Sequence, residues 1–248
     1  MAFRVLPLLC PLCEQSAPAG DVCDVCQALL QASRQQPVQA RCYRCDIGVP
    51  LTDERAKNVE LSQALQCERC LLEAPAFDRV ISAFDFAAPG DLLIHRIKAE
   101  KRLTLIPALA RLLAQTYRQR CPDPPAPVVL VPVPAQAQSI RVRGFNPAAE
   151  LAKALAQDLA CDIQPHWLIR RHSQRPRQAA LGRVQRLLAA SQAYEVRQCP
   201  PDTHIVVVDD VMTTGSTLHY ISRLFRRAGA ASVTGLVLAR TPHVEQPQ

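Results

Sequence analysis

Two hydrophobic patterns divide this chain of 248 residues, and the boundary falls near residue 73. Beyond it, short runs of β-branched and aromatic residues alternate with stretches whose apolar positions recur at helical spacing, the signatures of strands and amphipathic helices. Arg79 to Phe86 reads as a strand, and Leu92 to Leu113 has helical spacing broken near Lys101 to Pro107. A proline-rich linker, Pro122 to Pro127, leads into a buried strand at Val128 to Pro134, and a helix is predicted from Pro147 to Leu159. A short strand near Trp167 to Arg170, a long loop and a helix come next. The run Val206-Val207-Val208 forms a further strand, Leu218, Ile221, Leu224 and Phe225 give the following helix its apolar stripe, and Val233 to Ala239 is the last strand. Strands alternating with helices predict an α/β domain over residues 73–248 built on a mostly parallel, doubly wound sheet. Such sheets bind ligands at the carboxyl ends of their strands.

Residues 1–72 have no long amphipathic pattern, which predicts little apolar core there. They are instead rich in cysteine: eight of the chain's eleven fall in four identical C-x-x-C pairs, Cys10/Cys13, Cys23/Cys26, Cys42/Cys45 and Cys67/Cys70. One such turn sets two thiolates on one metal, and two turns complete a tetrahedron, so four turns make two closed structural sites. Disulfides are disfavoured in a reducing compartment, and redox dithiols rarely come four at a time. The prediction is a double zinc ribbon of short hairpins and turns, holding two structural zinc ions that supply its folding free energy. Sequence order leaves open whether neighbouring pairs share a metal or the pairs interleave. Cys121, Cys161 and Cys199 are isolated and read as packed or surface thiols.

The most informative stretch is Val206 to Thr217, where the apolar run ends in Asp209-Asp210, two spacers (Val211, Met212) and Thr213-Thr214-Gly215-Ser216-Thr217. Backbone N–H groups of a glycine-containing turn at a helix N-terminus, with hydroxyls beside them, can cradle a phosphate dianion. Two adjacent acids would repel that phosphate unless they face something else, and ribose hydroxyls near a divalent cation suit them. An acidic strand end with a Thr/Ser helix cap accounts for any one of these residues, but the joint pattern is far rarer. The stretch resembles the phosphoribosyl diphosphate (PRPP) signature of type I phosphoribosyltransferases. That resemblance implies that Asp209 and Asp210 hold the ribose hydroxyls and that Thr213 to Thr217 hold the 5-phosphate.

Net charge is +7, which eight thiolates and two Zn²⁺ ions would lower to +3. The surplus is uneven: residues 1–70 hold seven Lys/Arg and eight Asp/Glu, so the remainder carries 22 basic against 14 acidic side chains. Between Ile163 and Tyr194 lie Arg170, Arg171, Arg175, Arg177, Arg183 and Arg186, and no acid. At an active site such a loop would close over a diphosphate leaving group. On a nucleic-acid surface the same arginines would track phosphates with salt-dependent affinity, and a solvated basic face is the plain alternative. No apolar run is long enough to predict a membrane span. Val5 to Cys10 has the outline of a lipoprotein signal but is short, contains Pro7 and places Leu9 where a small residue is needed, so a cytoplasmic protein is expected.

Taken together the motifs resemble the ComF family (competence protein F or GntX-like), in which a cysteine-rich ribbon precedes a type I phosphoribosyltransferase domain. The carrying residues are the four C-x-x-C pairs, Ile94-His95-Arg96-Ile97-Lys98, Val131-Pro132-Val133-Pro134, Arg143-Gly144-Phe145-Asn146, Gln178 with Leu181, the Asp209-Asp210 loop and Val237-Leu238-Ala239-Arg240. By that likeness Lys98, Arg143, Arg171 and Gln178 approach the diphosphate. Ala189 departs from the family's usual Asn, and Glu100-Lys101 stand where a glycine usually follows. The implied chemistry is displacement of diphosphate from C1 of PRPP with Mg²⁺ present, the named residues orienting the sugar and none serving as nucleophile. The resemblance also implies a role in DNA uptake or recombination, with single-stranded DNA and a competence helicase as candidate partners, or a PRPP-sensing regulator. No residue names the acceptor, and none fixes the oligomeric state.

Overall fold

The computed structural model describes residues 8–34, 39–50, 65–125, 127–171 and 193–242. The cysteine-rich region contributes α1 (Asp24–Arg34), the antiparallel pair β1 (Gln39–Arg41) and β2 (Gly48–Pro50), and the short α2 (Glu68–Leu72). Then follow β3 (Arg79–Asp85), α3 (Gly90–Lys98), α4 (Ile106–Arg120), β4 (Val128–Pro132), α5 (Ala137–Arg143), α6 (Pro147–Leu159) and β5 (Asp162–Ile163). The antiparallel pair β6 (Leu168–Arg170) and β7 (Tyr194–Val196) precedes β8 (His204–Met212), α7 (Ser216–Arg227) and β9 (Ser232–Arg240). The helix expected between Arg171 and Tyr194 lies outside the described residues.

Five strands form one parallel sheet in the order β3-β9-β8-β4-β5. Alternate residues of each strand enter opposite cores, which is why the strands read as unbroken apolar runs. Val206, Val208, Leu236 and Leu238 are buried with Leu109 and Leu113 of α4 and Leu151 and Leu155 of α6. Ile205, Val207, Val233 and Val237 are buried with Leu218, Ile221 and Phe225 of α7. The break foreseen near Lys101 is real: α3 stops at Lys98, a single 3-10 turn spans Leu103–Leu105, and α4 starts with Pro107 in its first turn, where its missing N–H costs nothing.

The cysteine-rich region departs from its expectation of turns with little apolar core. α1 is an 11-residue helix that buries Cys26, Leu30 and Arg34 against β3. Its stripe was hard to read because one core position is itself a cysteine, while Val25 and Leu29 face solvent. The first pair of C-x-x-C turns packs with one core of the sheet and the second pair with the other, so the region folds around edge strand β3. Arg44 O accepts the Val80 N–H at 2.8 Å and so covers part of that exposed edge.

A buried ionic cluster fixes this arrangement. Asp46, with no exposed surface, receives Arg34 at 2.9 Å, Arg41 at 3.5 Å and Arg120 at 2.5 Å, and the Ser82 N–H at 2.9 Å. Burial alone would raise its carboxyl, but Arg34, Arg120 and Arg41 hold it at about 2. Asp85 takes Arg41 through two bonds of 2.8 and 3.0 Å. Arginines from α1, β1 and α4 thus meet one carboxylate from a C-x-x-C turn, and each would be costly without its partner.

Candidate functional site

The site forms where β8 outruns its neighbour. β8 pairs with β4 only as far as Pro132 opposite Val208, whereas its other edge stays paired with β9 to Met212 opposite Arg240. Val133 still donates its N–H to Val208 O at 2.9 Å, and Pro134 then has none to give. Asp209 and Asp210 therefore stand inside a strand, not just after one, with one strand edge open to a crevice. From that crevice the chain leaves β4 through α5 and α6 toward β5, and leaves β8 through α7 toward β9, the opposite way. This is the topological switch point at which open α/β sheets bind ligands.

Past Met212 the chain turns sharply into α7. Gly215 makes the turn with φ +79°, and a Cβ there would come within 2.4 Å of Met212 Cε. Thr214 Oγ1 and Ser216 Oγ lie 2.9 Å apart, Thr214 Oγ1 accepts the Ser216 N–H at 3.4 Å, and the N-cap position itself, Gly215, offers no side-chain cap. Its first-turn N–H groups and the positive end of its dipole thus face an anion-sized cup. The cup measures about 50 Å³ and is lined by Asp209, Val211, Met212 and Thr213 to Thr217. Beside it opens a cleft of about 380 Å³ walled by Lys98, Gln136, Ser139, Arg143, Arg170, Tyr194, Asp209, Asp210 and Thr217. A volume of that order accommodates a small ligand.

Charges in the cleft are graded. Lys98 Nζ meets Asp210 Oδ1 at 2.9 Å. Asp209 is half-buried, and burial followed by the neighbouring Asp210 carboxylate pushes it up to about 7, despite the Asp210 N–H donated to its Oδ1 at 2.9 Å. A divalent cation or ribose hydroxyls beside this pair would favour its ionised form, so the donor set suits both. Arg143 ends α5 ahead of Gly144, which takes the left-handed C-cap with φ +91°. Asn146 starts α6 by accepting the Ala148 N–H at 3.2 Å, and its own side-chain N–H reaches back to Val133 O at 2.9 Å. The Arg143-Gly144-Phe145-Asn146 motif is thus a helix stop and a helix start that swing one cation toward the cleft.

The predicted residues do not all converge. Asp209 to Thr217, Lys98 and Arg143 do. Arg171 is exposed, with its Nε on Glu195 at 3.0 Å, while Arg170, one residue earlier on the alternate face, lines the cleft. Gln178, like the arginines from Arg175 to Arg186, lies outside the described residues. Tyr194 was missed. Its ring lies 5.1 Å beneath Arg170, which also donates to its hydroxyl at 2.8 Å, and burial raises its phenol. The available signal was its place, the only aromatic where the acid-free segment ends.

The eight paired cysteines gather as Cys10, Cys13, Cys23 and Cys26 and as Cys42, Cys45, Cys67 and Cys70, with all four sulfurs of each set within 4.8 Å of one another. Neighbouring pairs thus share a site, settling the order that the sequence left open. Cys13 and Cys23 Sγ lie 3.7 Å apart and Cys45 and Cys67 Sγ 3.6 Å, close to the edge of a tetrahedron with metal–sulfur bonds of about 2.3 Å. The Cys23 and Cys67 N–H groups point at Cys10 and Cys42 Sγ at 3.4 and 3.3 Å, the orienting bonds a thiolate ligand needs. Both sets fit a metal ion. Among the described residues no helix is long and apolar enough to cross a membrane.

A parallel sheet with an anion cup and paired acids at its switch point defines a phosphoribosyltransferase-type domain. Residues 100–248 match the phosphoribosyl transferase domain family. DNA utilization protein YhgH of Escherichia coli O157:H7 is 31% identical over 245 residues, spanning 95% of this chain and 98% of that protein. Competence protein F of Haemophilus influenzae is 30% identical over 183 residues, 71% of this chain and 79% of its own. Competence protein ComFC of Bacillus subtilis is 30% identical over 149 residues, 60% and 58% of the two chains. The chain therefore belongs to the phosphoribosyl transferase domain family, in its ComF branch.

Proposed function

We propose that this chain binds Mg²⁺-PRPP and transfers its phosphoribosyl group to an acceptor, with two structural zinc ions in the cysteine sites. The observation that carries the reading is the continuity between cup and acidic pair along β8: a phosphate in the loop sets its ribose against Asp209 and Asp210. Asp209, once ionised, accepts hydrogen bonds from the ribose hydroxyls. Lys98 pairs with Asp210 at 2.9 Å, and with Arg143 it lines the wall that a diphosphate on C1 would meet. Bound Mg²⁺ would neutralise the leaving group. The C1–O bond breaks with its electron pair leaving on diphosphate, and the acceptor's lone pair forms the new bond at C1. Lys98 and Arg143 stabilise the departing charge. The sugar is oriented by residues that never bond to it covalently, so their contribution is placement. A diphosphate-release assay with PRPP and a panel of bases and amines tests turnover. Release with one acceptor supports transfer, and none across the panel leaves a PRPP-binding protein without it.

A second reading is favoured by the relatives, a DNA utilization protein and competence proteins. On this reading the basic surplus of residues 71–248 binds single-stranded DNA, and the PRPP site regulates it or accompanies it. Filter binding across a salt series separates the two: affinity falling steeply with salt supports a DNA role, and absent binding rejects it.

A further inference from the structure

The loop that lines the cup is held from behind by the second cysteine site. Arg240, only 3% exposed, donates its Nε to Cys45 O at 3.0 Å, while its Nη1 donates to Met212 O at 3.2 Å and to Thr213 O. Arg69, inside the Cys67/Cys70 turn, donates to Thr214 O at 2.8 Å. Three consecutive loop carbonyls thus point at guanidinium groups tied to one four-cysteine set. The peptide bonds here are trans, and a trans peptide sets each N–H opposite its C=O. Anchoring the carbonyls of Met212, Thr213 and Thr214 toward the cysteines therefore turns the amides of Thr213, Thr214 and Gly215 the other way, as an anion cup requires. The first set offers no such tie among the described residues: its Pro11 and Leu12 carbonyls take Arg96 of α3.

We propose that the Cys42, Cys45, Cys67 and Cys70 site is a positioning device for the phosphate loop, acting through Arg69 and Arg240. Metal at that site fixes the turn that carries Arg69 and the turn whose Cys45 carbonyl holds Arg240, and its loss releases the loop amides. The proposal rests on the sugar-phosphate reading of the loop, and ribose 5-phosphate serves as the probe.

The test is calorimetry of ribose 5-phosphate with the full-length zinc-loaded chain. Arg69→Ala should bind about threefold more weakly and Arg240→Lys about tenfold, with two zinc ions retained, and Arg69→Lys should recover most of the loss. By linkage, saturating ribose 5-phosphate should slow chelator extraction of one zinc in the wild type and slow it less in Arg69→Ala, where only Arg240 keeps the tie. Unchanged affinity in the variants, or extraction indifferent to the sugar phosphate, overturns the proposal while leaving the binding site itself intact. A wild-type chain that binds no ribose 5-phosphate removes the site reading, and this proposal with it. If Arg240→Lys fails to fold, Arg69→Ala decides alone, because Arg69 is exposed and its loss leaves the core untouched.

Discussion

The two four-cysteine sets share one spacing rule in sequence and sit in different parts of the molecule's economy. The first is joined to α1, α3 and α4, with Cys10, Cys26 and Leu30 buried in the core that those helices share with the sheet. The second lies on the opposite face, with Cys42, Cys45 and Cys70 buried in one core with Phe77, Met212 and Leu218 at the root of the Thr213 to Thr217 loop. Identical C-x-x-C turns thus pack against a helical layer in one case and against the Thr213 to Thr217 loop in the other. The difference comes from the residues between and after the cysteines: Arg69 reaches the loop directly and Cys45 O reaches it through Arg240, whereas Leu12 and Glu14 reach Arg96 and Arg102.

The largest effect should come from the ionic cluster that ties both sets to β3. Asp46→Ala removes the buried carboxylate shared by three arginines and leaves Asp85 to answer Arg34 and Arg41, and chemical denaturation should record a loss of about 3–5 kcal/mol. The same carboxylate predicts an acid limit. Its folded value is held below its unfolded one, so its contribution of about 2 kcal/mol is complete above about pH 4 and is lost as pH falls toward 2. Next in size, metal analysis should find about two zinc ions per chain, and Cys26→Ser or Cys70→Ser about one. Both variants should lower the melting temperature, and Cys70→Ser should also weaken ribose 5-phosphate binding. Equal weakening by both would erase the contrast between the sets.

Smaller effects probe the loop alone. Gly215→Ala forces a side chain onto φ +79° and against Met212 Cε, which should cost about 1–2 kcal/mol of stability and weaken the sugar phosphate. The smallest is a pH dependence. Burial and the neighbouring Asp210 carboxylate push Asp209 up to about 7, well above its unfolded value, so it binds its proton more tightly folded than unfolded. Through this group stability falls as pH rises from about 4 to 7. Ribose hydroxyls donate to the ionised form, so affinity for PRPP should rise a few-fold between pH 6 and 8. An affinity flat over that range would remove Asp209 from the ribose.

The sheet was legible because buried parallel strands are continuous apolar runs, as at Val128 to Val131 and Ile205 to Val208. The cup was legible because Thr213 to Thr217 is a local motif whose geometry is set by one glycine and one helix start. α1 was not, since one of its core positions is Cys26 of the first cysteine set, and α5, β5 and β7 are too short to carry a period. Arg69, Arg240 and Tyr194 were not legible as a group either. Their roles come from pairings across 145 and 195 positions of the chain, in the first two cases, and from the fold of an antiparallel pair in the third.

The most direct measurement is calorimetry of Mg²⁺-PRPP with the wild-type chain and with the double variant Asp209→Ala/Asp210→Ala. Saturable binding by the wild type that the double variant loses, with zinc content unchanged, is the predicted result. No binding by the wild type, or equal binding by both, would contradict the assignment of the β8 crevice to a phosphoribosyl ligand.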